Sequence, residues 1–245
     1  LQARVQAVDL FDLPPKAEHD VVLLIHVIEH FRSPRRGLTA IRELLVDGGR
    51  LYVATVRSIL VYDLDLSLEH EIAHPLLLGL HEIAVDDDGI WCTSTVHDLV
   101  IRIGFDGKVL DEWWGSECGR LQNALGFASR RAEVERFRSS SGDAAAYEAY
   151  VDAERLHINS IAVHDGAVYA LSCWTRSLIR VAPGPAEVVL TDDALESPHN
   201  CLVLPDGRIA VNSTRRQCVH VYSLASGQRL DVRRVVACGV VPWPR

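Results

Sequence analysis

The chain has 245 residues, of which 48% are hydrophobic and 24% charged, a composition typical of a globular protein with one large domain or two smaller ones. Its 25 Lys and Arg against 33 Asp and Glu give a formal net charge of −8, so the chain should repel phosphate backbones and nucleic acid is not an expected partner. The longest apolar runs, such as residues 21–28, are far shorter than the roughly 20 residues that span a bilayer, so no membrane association is predicted.

The cysteines and the missing methionine bear on the compartment and on the extent of the chain. The six cysteines form no CxxC pair, and most fall in predicted strands. This pattern favours buried free thiols in a reducing compartment, so we expect a cytoplasmic protein.

Because Met is absent even from position 1, we expect the chain to be a fragment of a longer polypeptide.

Residues 1–48 follow an α/β pattern. Strands are predicted at residues 5–8 and 19–28, and the second has the continuous apolar run of a parallel strand that is buried on both faces. A helix is predicted over residues 34–45, with Pro34 near its start and Gly48 near its end. We expect this segment to be a unit of its own, with a boundary near residue 49.

The segments VDLFDLP, HDVVLLIHVIEHF and LTAIRELLVDGGRLYVAT, in that order, resemble the second half of a class I S-adenosylmethionine-dependent methyltransferase. The resemblance implies that Asp9, with Leu10, lies beside the adenine of the cofactor and that His26 lines the floor of the site. The glycine-rich loop of that family belongs upstream and is missing. We therefore expect S-adenosylmethionine to be the cofactor of the parent protein and to bind this chain poorly. The alternative is that His26, Glu29 and His30 are polar residues at a strand end.

From residue 49 onward a unit of about 40 residues recurs. Its copies begin at His81, His157 and His199, and each has an apolar strand, a turn, a second strand, a polar break and a third strand. His157 and His199 are 42 residues apart, whereas His81 and His157 are 76 apart, which fits one unit plus one insertion of 34 residues. A copy without its first strand covers residues 49–64. Four such units predict a β-propeller.

The predicted fold class is therefore mainly β: a partial propeller of about four blades over residues 49–245, with a helical insertion near residues 116–155 and the short α/β segment before it. The strand starts HE and HN, the segment SPHN and the run PDGRIAVN resemble six-bladed propellers of the NHL or gluconolactonase kind, and more closely a bacterial propeller family without an established activity. The resemblance implies a ring of six blades, of which this chain would hold four.

The sharpest candidate site contains His81, His157 and His199, which occupy the same place at the start of the innermost strand of each unit. Propeller symmetry would direct the three imidazoles towards a common axis, where they could hold zinc or another divalent metal with an open position. The resemblance to propeller lyases and lactonases implies the same possibility. The alternative is structural, namely that these positions cap backbone groups at the channel mouth. The polar residues beside the histidines belong to the same candidate site: Glu82, Asn159 and Asn200.

Three functions stay open at this point. The chain is interpreted first as a fragment of a methyltransferase–propeller fusion, in which the propeller recognises a small-molecule or peptide ligand. The second hypothesis is a metal-dependent lyase or hydrolase with its site in the propeller channel. The third is a binding module without catalysis. The motifs GxSxG, HExxH and the P-loop are absent from the sequence, which disfavours the commonest hydrolase, zinc-protease and nucleotide-binding functions.

Overall fold

The computed structural model of the protein describes residues 49–63, 65, 67–140 and 144–234. The α/β segment predicted for residues 1–48, with Asp9, Leu10 and His26, lies outside the described residues. Within the described part the structure is mainly β, with 15 strands in four sheets and three α-helices. The predicted fold class is confirmed.

Each sheet is built from strands that are consecutive in the sequence. Sheet 1 consists of β1 (Arg50–Ala54), β2 (Ser58–Asp63) and β3 (Leu68–Ala73). Sheet 2 consists of β4 (Leu80–Val85), β5 (Ile90–Ser94), β6 (Leu99–Ile103) and β7 (Val109–Trp114). Sheet 3 consists of β8 (Ile158–His164), β9 (Ala167–Ser172), β10 (Ser177–Ala182) and β11 (Glu187–Thr191). Sheet 4 consists of β12 (Pro198–Val203), β13 (Arg208–Ser213), β14 (Cys218–Ser223) and β15 (Arg229–Arg234).

Short turns join the strands, and short turns require antiparallel neighbours. All strand pairs of sheets 2 and 3 are antiparallel, as are β12–β13 and β13–β14 in sheet 4. The turn between β4 and β5 shows the local cause: the Asp86 carboxylate accepts the backbone N–H groups of Asp88 and Gly89 at 3.0 and 2.9 Å. An aspartate that bonds its own backbone in this way favours a tight turn.

The internal contacts of the chain define two compact units. The described residues of the first are 49–53, 60–63, 65, 67–71 and 234, among which Leu51, Val53 and Val61 are buried and Arg50 Nε lies 2.6 Å from Glu69 Oε2. The described residues of the second are 54–59, 72–140 and 144–233. Sheets 2 to 4, apart from Arg234 at the end of β15, and the helices belong to this second unit.

Within the second unit, sheet 3 lies between sheets 2 and 4. Its first strand, β8, packs against β4 of sheet 2 and against β12 of sheet 4. One apolar core, around Trp91, Ile158 and Ile179, joins sheets 2 and 3. Another, around Leu178, Leu195 and Tyr222, joins sheets 3 and 4. The first strands of successive sheets are therefore neighbours, as a propeller requires.

The chain between sheets 2 and 3 is helical, as predicted, with α1 (Gly119–Leu125), α2 (Arg131–Ser139) and α3 (Ala144–Asp152). Arg130, immediately before α2, is fully buried. Its guanidinium donates to Val96 O at 2.9 Å, Asp98 Oδ2 at 3.1 Å and Tyr150 O at 2.5 Å, and so holds the helices on sheet 2. No helix in the described part is long and apolar enough to cross a membrane.

Candidate functional site

The first strand of each of sheets 2 to 4 is interrupted at the same place. The pairing register shifts between Leu80 and Ile83 in β4, between Ile158 and Ser160 in β8, and between His199 and Cys201 in β12. Such β-bulges bend a strand and change the direction of its side chains. The polar residues singled out in the sequence fall at these three bulges: Glu82, Asn159 and Asn200.

The Glu82 bulge joins sheet 2 to sheet 3. The side chain is buried, and its Oε2 accepts the backbone N–H of Ile161 at 3.1 Å. Burial raises the pKa of Glu82 to about 7, because a charged carboxylate is poorly solvated there; hydrogen bonds from Ser160, Ile161 and Asn200 oppose this shift but do not cancel it. Oε1 makes no hydrogen bond with any described residue. Glu82 therefore links sheet 2 to sheet 3, and its protonation changes near neutral pH.

The Asn159 bulge joins sheet 3 to sheet 4 in an equivalent way. Asn159 is buried and its Nδ2 donates to Pro198 O at 2.8 Å. Beside it, Ser160 Oγ accepts the backbone N–H of Cys201 at 2.8 Å. Burial, and to a smaller degree the charge of Glu82, raises the pKa of the Cys201 thiol to about 12, so this thiol is not a reactive nucleophile. The bulges thus connect successive sheets around the inner strands.

His81 and His157 come together although they are 76 residues apart in the sequence. Their ring centroids are 5.1 Å apart and their planes are nearly perpendicular, at 88°. Glu154 Oε2 lies 2.5 Å from His157 Nδ1, which orients that imidazole. In the neutral ring a carboxylate at this position retains the proton on Nδ1 and leaves Nε2 as an acceptor.

Asp98 places His157 at this position. This buried residue, at the end of the turn between β5 and β6, accepts the backbone N–H groups of Leu156 and His157 on Oδ1, both at 3.0 Å, and that of Arg155 on Oδ2 at 2.8 Å. The start of β8 is therefore held by sheet 2. His157 itself has a positive φ of 48°, which is uncommon for a residue other than glycine.

An exposed tryptophan lies beside the His157 imidazole. Trp174 follows β9, and its ring centroid is 4.6 Å from that of His157. Its exposed fraction is 58%, the largest among the exposed large hydrophobic side chains of the described residues. We call the surface formed by the following residues the imidazole face: His81, Glu154, His157 and Trp174.

His199 occupies the corresponding position at the start of β12. Its Nδ1 lies 2.9 Å from Ser197 O and 3.3 Å from Thr214 Oγ1. Among the described residues, no three His, Cys, Asp or Glu side chains form a group that could hold a metal ion. The metal site predicted at His81, His157 and His199 therefore stays a prediction.

The architecture has counterparts of known structure. Virginiamycin B lyase from Staphylococcus aureus matches with 11% sequence identity and a TM-score of 0.51, over 79% of this chain and 54% of the lyase chain. A streptogramin B lyase structure matches with 12% identity and a TM-score of 0.51, over 79% of this chain and 53% of that chain. The sheets of this chain are propeller blades.

The chain spans about half the length of these lyases, and at such low identity the likeness shows the propeller fold alone. No protein-family profile and no curated sequence matches the chain.

Sequence reasoning found the inner-strand positions of the propeller but missed two members of the imidazole face. Trp174 lies in the polar break that follows β9, and Glu154 lies at the end of the insertion, outside the repeat. A repeated serine also went unnoticed, although it was visible as the last residue of each second strand. Ser94, Ser172 and Ser213 donate to backbone carbonyls that precede the inner strand of their own blade, at 2.6 to 3.2 Å.

Proposed function

We propose that the propeller is a ligand-recognition platform and that its imidazole face binds a small molecule or peptide that carries a ring. The contact between His81 and His157, beside an exposed Trp174, is the observation that carries the proposal. A flat aromatic side chain in water offers a stacking surface, and neighbouring imidazoles offer donors and acceptors that orient a polar ring. Glu154 fixes one of these imidazoles and so reduces the ordering that binding would require.

Ligand-observed NMR on the full chain tests this proposal, with a panel of aromatic acids, aromatic amines, short aromatic peptides and sugars. We expect at least one class to bind, and we expect Trp174→Ala to weaken its affinity about tenfold or more, because a central aromatic contact is lost. Phe105→Ala is the matched control, since Phe105 is an exposed aromatic outside the face. If no compound distinguishes these two variants, the imidazole face is not a binding site.

A second candidate function, lyase-like acid–base catalysis, is favoured by the pairing of His157 with Glu154. A carboxylate on Nδ1 orients an imidazole and leaves its Nε2 available as a general base. A structure of the S. aureus lyase, in a catalytically inactive form, contains quinupristin, which makes this compound a reasonable first substrate to test. Chromatography should show conversion by the native chain and its loss in Glu154→Gln. An unchanged quinupristin peak with native protein would remove this candidate for that substrate class.

We further propose, from about residues 1–55, that the parent protein is a methyltransferase and that the propeller presents its acceptor. The three ordered motifs of that segment support the proposal. Calorimetric titration with S-adenosylmethionine tests it in two arms. We expect weak or no binding by this chain, and binding by a longer protein that includes the glycine-rich loop. Tight binding by the 245-residue chain would contradict the expectation that this chain binds S-adenosylmethionine poorly.

A further inference from the structure

A groove separate from the imidazole face lies between α2 and the segment that joins β3 to β4. It has a volume of about 330 Å³ and is lined by residues from the approach to β2, from the segment before β4 and from α2. This volume is at the lower end of the roughly 300–1,000 Å³ of small-molecule pockets. We call it the Phe137 groove, with these principal lining residues: Arg57, His74, Pro75, Leu77, Leu78 and Phe137.

The apolar part of the groove is rigid. Leu77 and Leu78 are buried below it. Phe137 stacks on Tyr150 with ring centroids 4.3 Å apart and planes inclined by only 2°. Tyr150 is held in turn by His97, whose Nδ1 is 2.6 Å from the phenol oxygen, and by the Arg130 guanidinium 4.3 Å from its ring. A wall that is already ordered requires little further ordering when an apolar ligand packs against it.

The polar part of the groove consists of hydrogen-bond donors. Arg57 is exposed and forms no ion pair with any carboxylate of the described residues. His74 Nδ1 accepts the backbone N–H of Leu76 at 3.2 Å, so in the neutral ring the proton is on Nε2, which is a donor. The Arg57 guanidinium and the His74 Nε2–H can both donate to a carboxylate, and the neighbouring apolar wall can contact the hydrocarbon part of the same molecule.

Among the described residues that line the groove, the positive charge is carried by Arg57. The buried His97, whose ring centroid is 6.5 Å from that of Phe137, has its pKa lowered to about 4, chiefly by burial and then by the charge of Arg130. It is therefore neutral at physiological pH. The cations that face this cluster are Arg130, which is paired with Asp98, and Arg138, whose guanidinium lies 5.4 Å from the Trp114 ring centroid. Arg57 is thus the cation that remains for a ligand among the described lining residues.

We infer that the Phe137 groove binds a small organic carboxylate whose apolar or aromatic body packs against Phe137 and Leu78 and whose carboxylate pairs with Arg57. This site is distinct from the imidazole face and does not depend on the proposed function. Its occupant is defined by chemistry: one carboxylate, one apolar body, and a size that fits the groove.

Titration with 3-phenylpropionate and with its uncharged amide, 3-phenylpropionamide, tests this inference on the full chain by calorimetry or ligand-observed NMR. We expect the acid to bind at least about tenfold more tightly than the amide, because only the acid pairs with Arg57. Arg57→Gln should remove this difference and leave the affinity for the amide unchanged. Phe137→Ala should weaken both probes, since it removes the apolar wall.

Two control variants separate this site from others. Arg136→Gln removes an exposed arginine of the same helix that does not line the groove, and it should leave both affinities unchanged. His157→Ala disrupts the imidazole face and should also leave them unchanged, so that failure of the proposed function would not be mistaken for failure of this site. The inference is overturned if native protein binds neither probe at about 5 mM, or if Arg57→Gln preserves the preference for the acid.

Discussion

Glu82 is a carboxyl group in a place where ionisation is unfavourable. The bulge in β4 turns it towards sheet 3, where it is about 1% exposed and accepts one backbone N–H. The pKa of Glu82 in the folded protein is therefore about 7, whereas that of a free glutamate is 4.5. Between these two pH values the folded state binds one proton more than the unfolded state, so the free energy of unfolding must fall as the pH rises.

Replacement of this carboxyl group by an amide should therefore stabilise the propeller at alkaline pH. We expect Glu82→Gln to raise the free energy of unfolding by up to about 3 kcal/mol near pH 8, where Glu82 is ionised, and to have little effect near pH 5. Denaturant unfolding at a series of pH values measures this. The amide oxygen can still accept the Ile161 N–H. A variant that is less stable than the native chain at alkaline pH would show that the charge has a favourable partner.

At the residue scale, the sequence repeat indicates which residues lie at equivalent positions of the units. It does not indicate which partners those residues contact. His81, His157 and Glu82 stand at equivalent places of the unit, and that equivalence is visible in the sequence. Their partners are not equivalent: His157 meets Glu154 and Trp174, whereas Glu82 meets the backbone of β8. A repeat pattern describes what the blades share, so contacts made by one blade alone escape it.

At the scale of elements, the helical insertion is fastened to sheet 2 by a buried ion pair. Asp98 and Arg130 are both fully buried; their charged ends also make hydrogen bonds to backbone, and the Arg130 guanidinium lies 4.3 Å from the Tyr150 ring centroid. Asp98 thereby joins three elements: the turn before β6, the helices and the start of β8. The sequence predicted that the insertion would be helical, but a run of alternating Arg and Glu does not show which arginine is buried.

Arg130, just before α2, should therefore contribute far more to the free energy of unfolding than its exposed neighbour Arg131. We expect Arg130→Met to lower the free energy of unfolding by about 3 kcal/mol, because it leaves the Asp98 carboxylate buried without a cation. Arg131→Met is the matched control, since Arg131 is 74% exposed and lies 3.8 Å from Glu117; it should change the stability by less than about 0.5 kcal/mol. Equal effects in chemical denaturation would mean that the insertion is not held by this pair.

At the scale of the whole molecule, the main feature of the larger unit is that its apolar cores lie between the blades. Strand β8 packs on both β4 and β12, and the apolar cores lie between sheets 2 and 3 and between sheets 3 and 4. Antiparallel blades made from neighbouring strands fold mostly through local contacts, whereas these cores join residues from separate repeats. We therefore expect inter-blade positions to dominate the unfolding energy.

A matched pair of leucines tests this expectation. Leu178 in β10 is fully buried between sheets 3 and 4, whereas Leu230 in β15 is 51% exposed. Leu178→Ala should cost about 2–5 kcal/mol, through lost burial and the cavity left behind. Leu230→Ala should cost less than about 0.5 kcal/mol. Thermal and denaturant unfolding measure both, and similar values for the two variants would contradict a core located between the blades.

The sequence by itself determined the propeller units, because alternating apolar residues and Asp-Gly turns act over a few neighbouring residues and form each blade locally. It also determined that the insertion is helical. The number of blades in the complete ring and the methyltransferase-like cofactor site stay predictions. Only the tertiary structure decided which side chains meet, as with Glu82 and the Ile161 N–H, 79 residues apart. The physical reason is that bulges and blade packing set the direction of each inner side chain, and both arise from contacts between repeats.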